Sequence, residues 1–186
     1  SRFSRKPGEF VILAVGGSRG ALSLNRACID LAKNWLPGQS GVRLIHISGE
    51  RDHDMVKTSI GQLPENYTLL PYLHEMREAF EVADLLVSRA GATILAEIAV
   101  CRKPAILVPF PFATDNHQEK NARVLEDLGA ARLLLDRDLN GESLARAFEE
   151  LRQPEKLAGM AAAMAKSRPD DVEERILEQI SQLLKN

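Results

Sequence analysis

Three short segments of this sequence hold the residue types that can grip a phosphorylated, hydroxyl-rich ligand. The first is Val15-Gly16-Gly17-Ser18-Arg19-Gly20-Ala21, set between an apolar run and an amphipathic one. Glycine there lets the backbone turn sharply and lets a ligand approach without meeting a Cβ. A helix opening directly afterwards offers unpaired N–H groups and the positive end of its dipole, a seat for phosphate. Gly17, Gly20 and the Ser18 hydroxyl are therefore candidate contacts, with Arg19 beside them. The dinucleotide pattern Gly-x-Gly-x-x-Gly fits poorly, because Val15 occupies its first glycine position. The acids after the second strand, Glu50 and Asp52, read as a solvated helix start.

The second segment is Ser88-Arg89-Ala90-Gly91-Ala92-Thr93-Ile94-Leu95-Ala96-Glu97, again a glycine at a strand-to-helix junction. Two such loops converging suit a diphosphate better than a single phosphate. Glu97 lies four residues after Thr93, so both share a helix face; its carboxylate either accepts from vicinal hydroxyls or is an ordinary exposed acid. Arg89 is either a scaffold cation paired with a carboxylate or a phosphate contact. The third segment runs from Val108 to Asn121. Pro109 and Pro111 stiffen it, and Asp115 and Asn116 are expected to cap the next helix. Gln118 and Asn121, three apart, present amides that both donate and accept, as neutral sugar hydroxyls require.

No metal set is apparent: Asp115 and His117 are the one close acid–histidine pair in this loop, and two ligands fix no metal. His117 reads as solvated, His46 as structural, and His53 and His74 as partnerless residues near helix starts. No Ser/His/Asp order or pair of catalytic acids stands out.

The elements that must position these loops follow from patterning. Apolar runs alternate with amphipathic stretches from Phe10 to Asp136, the signature of βα units on a parallel sheet. Strands are predicted at Phe10–Val15, Val42–Ile47, Tyr67–Leu70, Leu85–Val87, Ala105–Val108 and Arg132–Leu135. Helices are predicted at Arg19–Trp35, His53–Gly61, Glu75–Ala83, Ala92–Val100, Asn116–Leu128, Gly141–Leu151 and Pro154–Ser167. In a doubly wound sheet the loops after the first and fourth strands flank the point where strand order reverses, and ligands bind there. Residues 1–9 read as the remnant of a linker cut from something longer. Residues 10–168 read as one Rossmann-like domain. Residues 169–186 read as a last helix, with Val172, Ile176, Ile180 and Leu183 on one face, packing here or toward a neighbour.

With 186 residues, 45% apolar and 27% charged, the chain fits one ordinary α/β domain and excludes a largely disordered one. A formal charge of −2 gives no general reason to bind nucleic acid or anionic lipid, so an anion must be held by local geometry. Cys28 and Cys101 fall in predicted helices and read as buried free thiols, consistent with a reducing compartment. No apolar run approaches the roughly 20 residues of a membrane span.

Taken together, Gly16-Gly17-Ser18-Arg19-Gly20-Ala21 with Asn25, Ser88-Arg89-Ala90-Gly91-Ala92 with Glu97, Val108-Pro109-Phe110, Asp115, Gln118, Asn121-Ala122 and Gly129-Ala130-Ala131 resemble one family. It is the bacterial undecaprenyl-diphospho-muramoylpentapeptide N-acetylglucosaminyltransferase (MurG) family, in its C-terminal half, from about Phe10 to the last helix. The resemblance implies the donor-binding domain of a two-domain GT-B enzyme. The reaction it implies is inverting, metal-independent transfer of N-acetylglucosamine from UDP to lipid I, giving lipid II at the cytoplasmic face of the membrane.

By position, the first loop faces the diphosphate and Glu97 takes the ribose hydroxyls. Ala92 and Thr93 line the diphosphate and sugar, and Gln118, with Asp115 and Asn121, meets sugar hydroxyls. Tyr72-Leu73-His74-Glu75-Met76 matches the stretch that meets uracil, Leu73 through its backbone and Met76 by packing. The general base and acceptor site are expected on an N-terminal domain. Arg19 stands where the family often has Gln, and Ala113-Thr114 replaces a more polar pair. A non-catalytic donor-binding subunit of a split transferase, or another GT-B enzyme such as a diacylglycerol glycosyltransferase, are the alternatives.

Overall fold

The computed structural model describes residues 3–17 and 20–167. Ser18, Arg19 and the predicted helix at 169–186 lie outside the described residues. Six parallel strands form one sheet: β1 (Phe10–Val15), β2 (Val42–Ile47), β3 (Tyr67–Leu70), β4 (Leu85–Ser88), β5 (Ala105–Leu107) and β6 (Ala131–Leu133). Their order is β3-β2-β1-β4-β5-β6. Parallel strands need crossovers, and the helices supply them: α1 (Leu22–Asn34), α2 (His53–Ile60), α3 (Met76–Val82), α4 (Ala92–Val100) and α5 (His117–Asp127). The chain continues with α6 (Gly141–Leu151) and α7 (Pro154–Ser167). The sixth strand is shorter than predicted. Leu134 N–H still donates to Leu107, but the chain then turns into a 3-10 helix at Asp136–Asp138.

Strand alternation divides the apolar side chains between two cores. Val11, Leu13, Val15, Leu86 and Leu107 face α3, α4, α5 and α7, where Phe80, Ile98, Leu125 and Met164 meet them. Ile12, Ala14, Leu85, Val87 and Ile106 face α1, α2 and α6, meeting Leu24, Leu31, Val56 and Phe148. A strand covered on both faces must be apolar throughout. Ile12 and Leu13 are both wholly buried, each contributing about 1.5–3 kcal/mol relative to exposure. Cys28 is buried in the second core, whereas Cys101, predicted buried, is exposed because it falls just past the last turn of α4.

Residues 3–9, read from sequence as a linker, lie against the sheet. Phe3 is buried, Arg5 pairs with Asp84 at 2.9 Å, and Arg43 pairs with Glu9 at 3.2 Å. Asp84 also accepts from the Val11 N–H, so the strap is fixed at the amino-terminal end of β1. Among the described residues no helix is long and apolar enough to cross a membrane.

Candidate functional site

β1 and β4 are neighbours in the sheet, while their successors β2 and β5 lie on opposite sides. The loops leaving β1 and β4 therefore part at their carboxyl ends and leave a crevice. A cleft of about 640 Å³ lies there, lined by Gly16, Gly17, Gly20–Ser23, Arg26, Arg51, Arg89, Phe110–Phe112, Gln118 and Asp136. Ligand pockets are typically about 300–1,000 Å³.

Glycine is obligatory at two points of the first loop. A Cβ on Gly16 would sit 2.7 Å from the Ala21 nitrogen. Gly20 has φ +75°, and a Cβ there would sit 2.6 Å from the Ser48 carbonyl oxygen. Ala21 precedes α1 and Gly91 precedes α4, both in extended conformation and neither giving a side-chain cap. Among the described residues no capping side chain therefore satisfies the first N–H groups of either helix. By contrast, α6 has a reciprocal cap, with Asn140 accepting from Ser143 N–H and Ser143 Oγ from Asn140 N–H.

Gln118 laces two loops together. Its Oε1 accepts from Ala90 N–H at 3.2 Å and Phe110 N–H at 3.0 Å. Two backbone donors fix which amide atom is oxygen. Nε2 consequently faces the Gly91 side, 4.0 Å from where a Cβ on that glycine would stand. Its two N–H donors have no partner among the described residues.

Arg89 is the second lacing residue. Its guanidinium donates to the carbonyls of Val108 (3.2 Å) and Pro109 (3.1 Å), to Ser23 Oγ (2.8 Å) and to Asp136 Oδ1. Ser23 Oγ in turn donates to Asp136 Oδ1 at 2.6 Å. The Phe110 ring lies 5.6 Å from the guanidinium carbon. Of the two roles open to Arg89, this geometry favours the scaffold cation: its charge is matched by Asp136, and the group ties together the exits of β4, β5 and β6 and the start of α1. Sequence reading missed Ser23 and Asp136. Asp136 follows the last strand at the same carboxyl-terminal edge as the other loops, which is the signal that could have found it.

Of the other predicted residues, Ala92, Thr93, Glu97, Leu73, Met76, Asn121 and Asp115 are not among those that line this cleft. Ala92, Thr93 and Glu97 lie on the exposed face of α4, Glu97 about 7 Å along the axis from Ala92. Leu73 is buried in the core shared with Phe80, and Met76 packs against that core. Asn121 is half-buried on α5 and Asp115 is exposed. Asp115 and Asn116 have φ +50° and +55°, a left-handed pair that costs on the order of 1 kcal/mol for each residue. The expected capping of α5 does not occur. From this left-handed position Asn116 donates sideways to Glu119 Oε2 at 2.9 Å, and its side chain makes no cap. His117 Nδ1 lies 2.8 Å from the Thr114 carbonyl.

Three readings after β2 and β3 need correction. Asp52 is buried, not solvated, because the Asn25 amide and Arg51 both donate to its carboxylate. His53 is not partnerless, since its Nδ1 lies 3.3 Å from Ser48 Oγ. His74 lies edge-on to Tyr72, with ring centroids 4.9 Å apart.

His46 is structural as expected, and wholly buried. Burial, and secondarily the neighbouring His53, lower its pKa from 6.5 to about 3. The unfolded imidazole takes up a proton near its ordinary value while the folded one stays neutral. Between those two values the unfolded state binds more protons, so stability falls as pH drops, by about 1.4 kcal/mol per unit. Urea unfolding at about pH 7 and about pH 5 measures this. Subtracting the same difference for His46→Gln should remove the histidine's share, and identical slopes would contradict it.

A six-stranded parallel sheet with a glycine-lined crevice at its switch point defines a Rossmann-like domain. The chain belongs to glycosyltransferase family 28, as its C-terminal domain, whose family model it matches over residues 11–176. It is 40% identical over 184 residues to a UDP-N-acetylglucosamine–N-acetylmuramyl-(pentapeptide) pyrophosphoryl-undecaprenol N-acetylglucosamine transferase of Thermodesulfovibrio yellowstonii, covering 98% of this chain and 50% of that protein. A protein of the same name from Desulforudis audaxviator is 45% identical over 161 residues, covering 83% and 43%. The crystal structure of Acinetobacter baumannii MurG superposes with a TM-score of 0.80 at 29% identity, over 97% of this chain and 51% of that one. The chain thus spans about half the length of the relatives it matches.

Proposed function

We propose that this chain is the donor-binding half of an inverting, metal-independent transferase. The full enzyme would move N-acetylglucosamine from UDP-N-acetylglucosamine to lipid I, forming lipid II at the cytoplasmic face of the membrane. The observation that carries this reading is the meeting of three loops at one cleft, with Gln118 bonded to two of them and lining the same space as Gly17 and Gly20. The names of the relatives supply the donor and acceptor chemistry.

On this reading the uncapped starts of α1 and α4 hold the diphosphate, with Ser18 and Arg19 beside it. As the bond to the sugar breaks, negative charge grows on UDP. N–H groups already aimed at that place stabilise it without reorganising. The sugar, oxocarbenium-like at that moment, needs an acceptor hydroxyl activated by a base; we assign that base to the other half of the enzyme. Glu97 accepts from the ribose hydroxyls, and the backbone at Leu73 reads the N3–H and O4 edge of uracil with Met76 packed nearby. Gln118 Nε2 donates to the sugar, with Asp115 and Asn121 at its edge.

Titrating this chain with UDP-N-acetylglucosamine, UDP, CDP and NAD tests the reading. The two uridine ligands should bind more tightly than CDP or NAD; NAD binding more tightly than UDP would overturn it. Gln118 can be dissected further. Gln118→Glu keeps an acceptor for both loop N–H groups but loses the donors, so sugar nucleotide should weaken more than UDP while stability holds. Gln118→Ala strands two N–H groups and should also lower stability by about 1–3 kcal/mol. Equal losses for UDP and UDP-sugar in Gln118→Glu would remove the sugar contact.

A further inference from the structure

Beneath the first glycine loop runs a chain of buried polar side chains to which the donor reading gives no task. Asn25, His46 and Ser48 have no solvent exposure, and Tyr67 and Asp52 have only 5% and 7%. Asn25 Nδ2 lies 3.0 Å from both the Ser48 carbonyl oxygen and Asp52 Oδ2. A carbonyl accepts only, so the amide nitrogen must point there and Oδ1 must face His46 Nε2, 2.9 Å away. That nitrogen therefore carries the proton. His46 Nδ1 is bare and accepts from the Tyr67 hydroxyl at 2.6 Å. Donation runs one way, from Tyr67 through His46 and Asn25 to Asp52, with no member free to turn.

The two oxygens that Asn25 holds are the floor on which Gly20 rests. A Cβ on Gly20 would stand 2.6 Å from the Ser48 oxygen and 3.0 Å from Asp52 Oδ2. Asn25 also stands in the first turn of α1, its N–H donating to Ala21 at 2.8 Å. One residue thus ties the start of the helix to the floor of the loop. Stability alone gives no reason for this arrangement, since a well-packed apolar replacement of a buried polar network is often neutral or stabilising. What the network supplies is a single geometry. The Asp52 carboxylate beneath the anion seat is also held by Arg51, which pairs with it at 3.0 Å and supplies the opposite charge.

We infer that Asn25 is a positioning residue for the diphosphate, holding the glycine loop in shape through the Ser48 and Asp52 oxygens, with His46 and Tyr67 fixing its orientation. The inference rests on the donor-binding reading and assigns Asn25 no contact with the ligand. Calorimetric titration with UDP and with uridine separates a role in phosphate seating from general stability. The unaltered chain should prefer UDP. In Asn25→Ala the preference for UDP over uridine should fall about tenfold, the scale of one buried hydrogen bond to a charged group, while uridine affinity holds. Tyr67→Phe keeps the ring and deletes the head of the donor chain, so the preference should fall in the same direction by less.

A folded Asn25→Ala with unchanged preference, or with uridine weakened in step with UDP, overturns the assignment. If Asn25→Ala does not fold, Tyr67→Phe decides by the same criterion. An unaltered chain with no preference for UDP removes the donor reading itself, whereas a normal preference that survives both substitutions removes only the role of Asn25.

Discussion

Gly20→Ala is expected to be the most damaging single methyl in the cleft. Its Cβ would fall 2.6 Å from a backbone oxygen that the Asn25 amide holds in place, at a φ of +75° that side chains rarely adopt. The left-handed backbone costs about 1–2 kcal/mol, and forcing a methyl into a packed site adds about 1–3 kcal/mol. The loop either moves, losing the ligand seat, or stays and loses stability by about 2–5 kcal/mol in total. Gly17 is the control. It too has a positive φ, +84°, but a Cβ there meets nothing within 4 Å. Gly17→Ala should therefore cost only the backbone part. Denaturant midpoints and UDP titration of the two variants should separate widely; equal effects would show that the Ser48 contact does not matter.

Arg89→Ala is the second large effect. It leaves the Asp136 carboxylate and two loop carbonyls without their cation in a place where the Arg89 and Asp136 side chains are 15% and 20% exposed. Removing one partner of a fully buried pair costs about 3–5 kcal/mol, and the residual exposure places this one at about 2–4 kcal/mol. Arg89→Lys should recover only part of that loss, since one ammonium cannot reach Ser23, Asp136 and both carbonyls in the fork's geometry. In a double-mutant cycle, removing both charges with Arg89→Met and Asp136→Leu should be much less harmful than the sum of the single changes. Additive losses would mean that the pair is not the source of the effect.

The sheet was legible because a parallel strand buried on both faces has to be apolar throughout, and runs such as Phe10–Val15 have no second interpretation at that length. The glycine loops were legible for a related reason: a sharp strand-to-helix turn leaves few residue types available. The ties between loops were not. Nothing local marks Ser23 or Asp136 as partners of Arg89, since they lie 66 and 47 residues away along the chain and meet only because the five crossovers from α1 to α5 return the chain to one edge of the sheet. Asp52 was misread on the same ground. An acid at a helix start is ordinarily solvated, and only the fold places the Asn25 amide beside it.

The exposed row of α4, Ala92, Thr93, Ala96 and Glu97, takes no part in this lacing, for its side chains bond to nothing else among the described residues. If that row meets the ligand as proposed, framework and recognition surface are separable. On the donor-binding reading, substitutions along that row would change the ribose and sugar contacts while the tied loops keep their shape. A change of donor preference could then arise along this one helix face without redesigning the parts that hold the crevice open.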